Sequence, residues 1–278
     1  MKRERPTGRI TQEELIKKIG IPDYAAKMIE AFPLSDGEYE EYRSLFLKDS
    51  NAFLTAVRER KEYRLLFLKL YLRMAWEARE LYDARGIPER IYYDTFQDIA
   101  VWMENCVRAY GEVGIEQYDW LWRHVKGRLF RLGRLQYEVV KGAEEPELNG
   151  KKLRQDEIVL NLHIPQGEPL DLEQCKESLR EAAGFFENFS EITCHSWLLS
   201  PALRQLLPEE SNIIKFQSLF SVYGIDRESR EAEERIFGRL CENPLDYPEN
   251  TSLGKAMKKY LLAGGKPGSA YGKCNWQA

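Results

Sequence analysis

Apolar positions recur at helical spacing through the first part of the chain and switch to alternation near Arg128. Thr11 with Glu14 and Ser35 with Glu38 stand at capping-box spacing, each before leucine, isoleucine or aromatic residues at helical intervals, and predict two helix starts. Phe53, Val57, Leu66, Leu70, Met74 and Leu81 predict one long helix, straight or kinked, over Asn51 to Ala84, ended by Arg85-Gly86-Ile87-Pro88. Pro88 suits the first turn of the next helix, whose apolar face runs from Tyr92 through Phe96, Ile99 and Met103 to a stop at Gly111. Beyond Arg128 the pattern changes. Phe130, Leu132, Leu135, Tyr137 and Val139 thread between Arg131, Arg134, Gln136 and Glu138, the mark of a half-buried strand with an irregularity at Gly133.

The stretch Asp156 to Ser200 reads as strand, loop, helix and strand. Glu157 to Pro165 is a short apolar run, Gln166 to Pro169 supplies loop chemistry, and Asp171 with Gln174 caps a helix bearing Leu172, Cys175, Leu179, Ala182, Ala183 and Phe186. Ile192 to Leu199 is a second buried strand, parallel to the first if one sheet holds both. His163 and His195 would then flank one crevice at the sheet edge. Lys141 to Asp156, charged and without period, is expected as the connection of a hairpin. Pro201 to Leu207 reads as a helical turn. Ile213 to Tyr223 fits both a helix capped at Ser211-Asn212 and an exposed strand. Arg235 to Cys241 reads as a strand, Thr251 to Leu262 as a helix, and Tyr271 to Trp276 as a terminal strand. The expected class is α+β: a helical domain over residues 1–125, then a mixed β-sheet domain with flanking helices over 126–278.

Charge and composition narrow the partners. A net charge of -4, with Met1-Lys2-Arg3-Glu4-Arg5 as the only basic cluster, gives no footprint for nucleic acid. The densest apolar stretch, Leu65 to Leu72, is broken by Lys69 far short of a membrane span, and no secretory signal opens the chain, so the expectation is a cytoplasmic protein. Five scattered cysteines without a C-x-x-C pair are expected as reduced thiols. The aromatic residues dense between Tyr92 and Trp122 are expected in a core or a domain interface, and His124 at a helix end.

Arg131-Leu-Gly-Arg-Leu-Gln-Tyr-Glu138, His163-Ile-Pro-Gln-Gly167, Cys194-His-Ser-Trp-Leu-Leu199, and Ser211-Asn-Ile213 with Phe216-Gln217 together resemble a family of bacterial acyltransferase-domain proteins. The resemblance covers most of the chain. It implies a helical amino-terminal domain joined to a GNAT-like carboxy-terminal domain, and an acyl-CoA-dependent N-acyltransferase acting on a small-molecule or peptide amine. In that fold acyl-CoA lies between two splayed parallel strands with its pyrophosphate at the amino end of the following helix. This places cofactor contacts at Ile164, Gln166, Gly167 and Leu170, and acceptor-side contacts at Gln136, Ser196 and Trp197. The loop departs from the family's glycine-rich pattern, carrying Glu168, Pro169 and Asp171. Phe220 stands where the thiolate-protonating tyrosine is usual, with Tyr223 nearby.

Acylating an amine needs a group that takes a proton from the nitrogen, which a histidine or a buried carboxylate can supply. Glu138, His163 and His195, with Tyr223 as acid, are therefore the catalytic candidates. A simpler role for Glu138 is an ion pair with Arg131 or Arg134. No metal is expected, because Cys194 and His195 are adjacent in a strand and face opposite sides. The reading from another class is a non-catalytic GNAT-like module that binds a ligand or peptide, with Trp197 as its apolar wall.

Overall fold

The computed structural model describes residues 10–275 and divides into two compact units that meet in sequence at Arg131 and Leu132. The basic Met1 to Arg5 cluster and the Trp276 end of the expected last strand lie outside the described residues. Before Leu129 the described residues form helices and turns only. These are α1 (Gln12–Lys18), α2 (Asp23–Ala31), α3 (Asp36–Lys48), α4 (Ser50–Arg58), α5 (Tyr63–Ala84), α6 (Glu89–Tyr110) and α7 (Trp122–Val125). Both capping boxes close: Thr11 and Ser35 accept from the backbone of Glu14 and Glu38, whose carboxylates accept in return at 2.7 and 3.0 Å.

The segment expected as one helix from Asn51 to Ala84 is two. Asp49 caps α4 through Asn51 and Ala52, and the chain turns between Arg58 and Tyr63 without glycine or proline. The reason is packing. Phe53 and Phe67 meet edge to face at 5.9 Å, whereas fourteen residues of one helix would hold them about 21 Å apart. Tyr118 stacks on Phe67 at 4.5 Å, so the aromatic run fills the core of this unit. Pro88 stands one position before α6 rather than in its first turn, and Gly111 ends that helix at φ 70°. His124 is buried within α7, its ring 3.0 Å from the Asp98 carboxylate that also accepts the Trp120 indole. It is a core histidine of the helical unit.

The sheet has six strands in the order β1-β2-β5-β6-β8-β7, made of β1 (Leu129–Leu132), β2 (Leu135–Lys141), β5 (Ile158–His163), β6 (Glu191–Ser196), β7 (Phe220–Asp226) and β8 (Ser269–Cys274). Between β2 and β5 the chain makes a separate small hairpin of β3 (Glu147–Leu148) and β4 (Lys151–Lys152). β5 and β6 run parallel; β2 with β5, β6 with β8 and β7 with β8 run antiparallel. Among the described residues the α-helices of this unit are α8 (Leu172–Phe185), α9 (Leu203–Leu206), α10 (Asn212–Gln217), α11 (Glu231–Phe237) and α12 (Ser252–Leu262). Asp171 caps α8 through Gln174, and Ser178 on that helix bonds the Tyr137 hydroxyl of β2 at 3.1 Å.

The structure corrects the sequence reading in this unit: the one strand expected through Gly133 is two, β1 and β2, parted where Gly133 takes φ 62°, and the strand expected to run to Leu199 ends at Ser196, before a short helical turn over Trp197–Leu199. Arg235 to Cys241 is not a strand: its first residues end α11, which carries three glutamates in its first turn, buries Ala232 and stops at Gly238 with φ 73°. Its Ile236 and Phe237 pack on the cluster of Leu203, Ile214, Ala232 and Met257. Ile213 to Tyr223 is both of the forms its pattern allowed, α10 followed by β7. All five cysteines are free, and no helix among the described residues is long and apolar enough to cross a membrane.

Candidate active site

Residues opposite each other on paired strands share a face of the sheet. The register pairs Gln136 with His163, Glu138 with Asn161, Asn161 with Thr193, Thr193 with Lys273, and His195 with Tyr271. These residues make one polar face. Tyr137, Leu160, Leu162, Ile192, Cys194 and Gly272 make the other, apolar one. The β5–β6 ladder ends at Asn161 opposite Thr193, although β5 runs on to His163 and β6 to Ser196, still paired with β8. The parallel strands therefore part on either side of the two histidine positions.

His163 Nε2 lies 3.0 Å from Glu138 Oε2 and 3.3 Å from Asn161 Nδ2. The Glu138 side chain is only 5% exposed and that of His163 22%, so the pair joins a buried carboxylate to a ring that solvent and ligand can reach. Glu138 is thus paired with His163, and the Arg134 guanidinium also reaches the carbonyls of the loop that follows β5. His195 shares the face but is held separately, 2.7 Å from Ser269 Oγ and stacked on Tyr271 at 4.3 Å. Partial withdrawal from water under that ring lowers its pKa. Gln136 is buried, and its Nε2 has no hydrogen-bond partner among the described residues.

Three candidates are placed differently. The β-bulge between Val222 and Gly224 takes Tyr223 out of register, and its hydroxyl donates to Asn149 O at 3.1 Å. Burial pushes its pKa up to about 12. Ser196 lies on the apolar face, where it caps the short turn that follows by accepting from Leu198 N. Trp197, partly buried, packs on the Leu203, Ile214, Ala232 and Met257 cluster. Cys194 is buried on the face opposite His195, with its thiol pKa raised by burial; among the described residues no set of three or more metal-ligating side chains comes together.

The loop from β5 to α8 holds Ile164, Gln166, Gly167 and Leu170. Its shape comes from Arg134, whose guanidinium donates to the carbonyls of Pro165, Glu168 and Pro169 at 2.9, 2.8 and 3.1 Å. Gly167 adopts φ 129°, which glycine permits, and Leu170 is buried beneath. Arg134 and Asn149 escaped the sequence reading. Arg134 was one arginine among several on an alternating strand. Asn149-Gly150 did carry a signal, the dipeptide of a two-residue hairpin.

Residues 129–274 match the family model described as the GNAT-like C-terminal domain, and residues 11–127 the one described as the N-acyltransferase N-terminal domain. No curated protein matches the chain. Among solved structures it is similar to an acyltransferase in complex with decanoyl-CoA and teicoplanin, at 22% identity and TM-score 0.77 over 97% of this chain and 90% of that one. An acyltransferase in complex with decanoyl-CoA gives 24% identity and TM-score 0.77 over 98% and 91%. A mutant acyltransferase in complex with octanoyl-CoA gives 21% and 0.77 over 96% and 88%. At these identities the likeness carries the fold.

Proposed function

The chain belongs to the GNAT-like C-terminal domain family, with an N-acyltransferase N-terminal domain ahead of it, and from that premise we propose that it transfers an acyl group from acyl-CoA to an amine. The observation that carries the reading is the parting of β5 and β6 beside the His163–Glu138 pair. A slot between parallel strands offers backbone groups to an extended thioester, and the pair stands at its polar side. The similar structures that hold decanoyl-CoA and octanoyl-CoA support the choice of donor. The one that also holds teicoplanin, a glycopeptide, supports an acceptor of the small-molecule or peptide class. Five free cysteines support a reducing, cytoplasmic setting.

In this reading the neutral amine attacks the thioester carbon, a C–N bond forms as the C–S bond breaks, and the His163 ring takes the surplus proton from nitrogen. Glu138 stabilises the imidazolium so formed. The thiolate leaves and receives, through water, the proton that His163 took from the amine, which gives CoA and restores the ring. Gln136, with its unused amide donor across from His163, stabilises the carbonyl oxygen as charge develops. His195 and Tyr223 line the same face, and the Arg134-held loop receives the CoA end through Ile164, Gln166, Gly167 and Leu170. The test is thermal: CoA or decanoyl-CoA at a hundred times its dissociation constant should stabilise the fold by about 2.7 kcal/mol. An unchanged Tm with CoA, acetyl-CoA and decanoyl-CoA alike would end the proposal.

A further inference from the structure

The slot between β5 and β6 is closed at one end. Its last paired residues, Asn161 and Thr193, are both buried and both on the polar face, and a side chain from outside the main sheet ties them together. Asn149, at the tip of the β3–β4 hairpin, donates through Nδ2 to Asn161 Oδ1 at 3.0 Å and to Thr193 Oγ1 at 3.1 Å. The tip itself is a two-residue turn, Asn149-Gly150, with both residues at positive φ (52° and 73°) between the paired Leu148 and Lys151. Three contacts hold it down: Tyr223 donates to Asn149 O, Gly150 lies against the Tyr271 ring, and Lys151 pairs with Glu191.

The order of residues along β5 gives this closed end a meaning for the donor. In the acyltransferase reading the CoA end lies at the loop of residues 164–170 and the thioester beside His163, so the acyl group continues along the strand toward Asn161. Two strand residues, about 7 Å, separate those positions. Beyond them an alkyl chain meets the Asn149 amide and the two side chains it bridges. It could advance only by breaking their hydrogen bonds and leaving buried polar groups without partners. The other face is already filled. Leu160, Leu162, Ile192 and Cys194, which flank the slot there, are buried in the core of this unit, and carbons inserted among packed side chains force them out of their rotamers.

We propose that Asn149 is a specificity-determining residue: its bridge is the blind end of the acyl site, and the donor carries a short acyl group of about two to four carbons. The inference rests on the acyltransferase reading for where the thioester lies. It sets this chain apart from the similar structures that hold octanoyl-CoA and decanoyl-CoA.

Donor binding tests this without an acceptor. Calorimetry on the full chain uses CoA, acetyl-CoA, butanoyl-CoA and octanoyl-CoA as titrants. The dissociation constant of octanoyl-CoA should be at least about tenfold above that of butanoyl-CoA, whereas an open apolar channel would make the longer chain the tighter ligand. Asn149→Gly keeps the turn, since glycine takes φ 52° without strain, but removes the wall, and the ratio should fall toward one. Asn149→Asp keeps the size of the side chain and can still accept from the Thr193 hydroxyl, so it should retain the preference for the shorter chain. Each ratio compares two ligands on one protein, so a partly unfolded variant changes the stoichiometry and leaves the ratio as it is.

Octanoyl-CoA binding the native protein as tightly as butanoyl-CoA overturns the inference, as does a ratio unmoved by Asn149→Gly. In both cases the acyl-CoA reading stands, because CoA binds. Failure of every titrant, CoA included, would instead remove that reading and the inference with it.

Discussion

Gln136 makes two opposite demands on a substitution. Its amide is buried with no partner for Nε2, so the folded protein gains little from it, and an apolar residue of similar size removes an unsatisfied donor. Gln136→Leu should therefore leave Tm unchanged or raise it. If the amide meets the thioester oxygen in the transition state, the same change should lower kcat by about 10²–10³, the usual loss for one donor of this kind. Steady-state kinetics set against thermal melts check both signs; a fall in Tm with kcat intact would assign Gln136 to folding instead. At this scale the sequence was informative about chemistry and silent about pairing. Glu138, Gln136 and His163 are recognisable as residue types, yet Glu138 and Asn161, which both meet the His163 ring, lie one on a neighbouring strand and one two residues back, and only the register unites them.

Among elements, the loop between β5 and α8 shows how a shape can be held from outside. Three of its carbonyls end on one guanidinium, whose planar fork has no equivalent in an ammonium. Arg134→Lys keeps the charge and loses the fork, so the loop should loosen. The expected result is a KM for acyl-CoA raised about tenfold, the equivalent of one charged hydrogen bond, with kcat at saturation little changed. A loss confined to kcat would contradict it. Local signals were the most legible here: the two capping boxes, the Asp171 and Ser211 caps and the Gly111 stop each involve residues within a few positions. The break between α4 and α5 was not legible, because Glu59 to Glu62 contains no breaker and the turn is set by Phe53 seeking Phe67. Arg235 to Cys241 misled for a related reason, its alternation being helical faces packing on a small cluster.

Across the whole molecule, acid should act in two stages. The folded pKa of His195 is lowered, so the unfolded chain takes that proton first; its contribution to stability is full above about pH 6.5 and is lost as pH falls from there through the folded value. Carboxylates follow. Arg230 and Tyr247 hold Glu233 low, and burial works to raise Glu191 but Lys151 and Lys273 outweigh it. These carboxylates stabilise above the ordinary carboxylate range, and that stability drains as pH falls through their depressed values. Melts across pH should show a first decline near pH 6, absent in His195→Gln, and a steeper one below about pH 4.5 in both proteins. Retention of the first decline in the variant would assign it to another group. At this scale the change of period near Arg128 was the most legible feature, since helices give way to strands at Leu129. The covering of the polar face by a short hairpin was the least, because Asn149 reaches residues 12 and 44 positions away.

The Arg134 fork has a consequence for how such chains are found. The instructions for the loop's geometry are written 31 to 35 residues upstream of the loop itself. Search patterns phrased as a contiguous run of glycines look for flexibility at the point of use and pass over a loop whose curvature is imposed remotely. Within such an arrangement the loop can carry acidic residues and proline, as it does here at Glu168 and Pro169, while the distant guanidinium holds its carbonyls. The signature worth scanning for is then a discontinuous one: an arginine at a strand-connecting turn, paired with a loop of almost any composition.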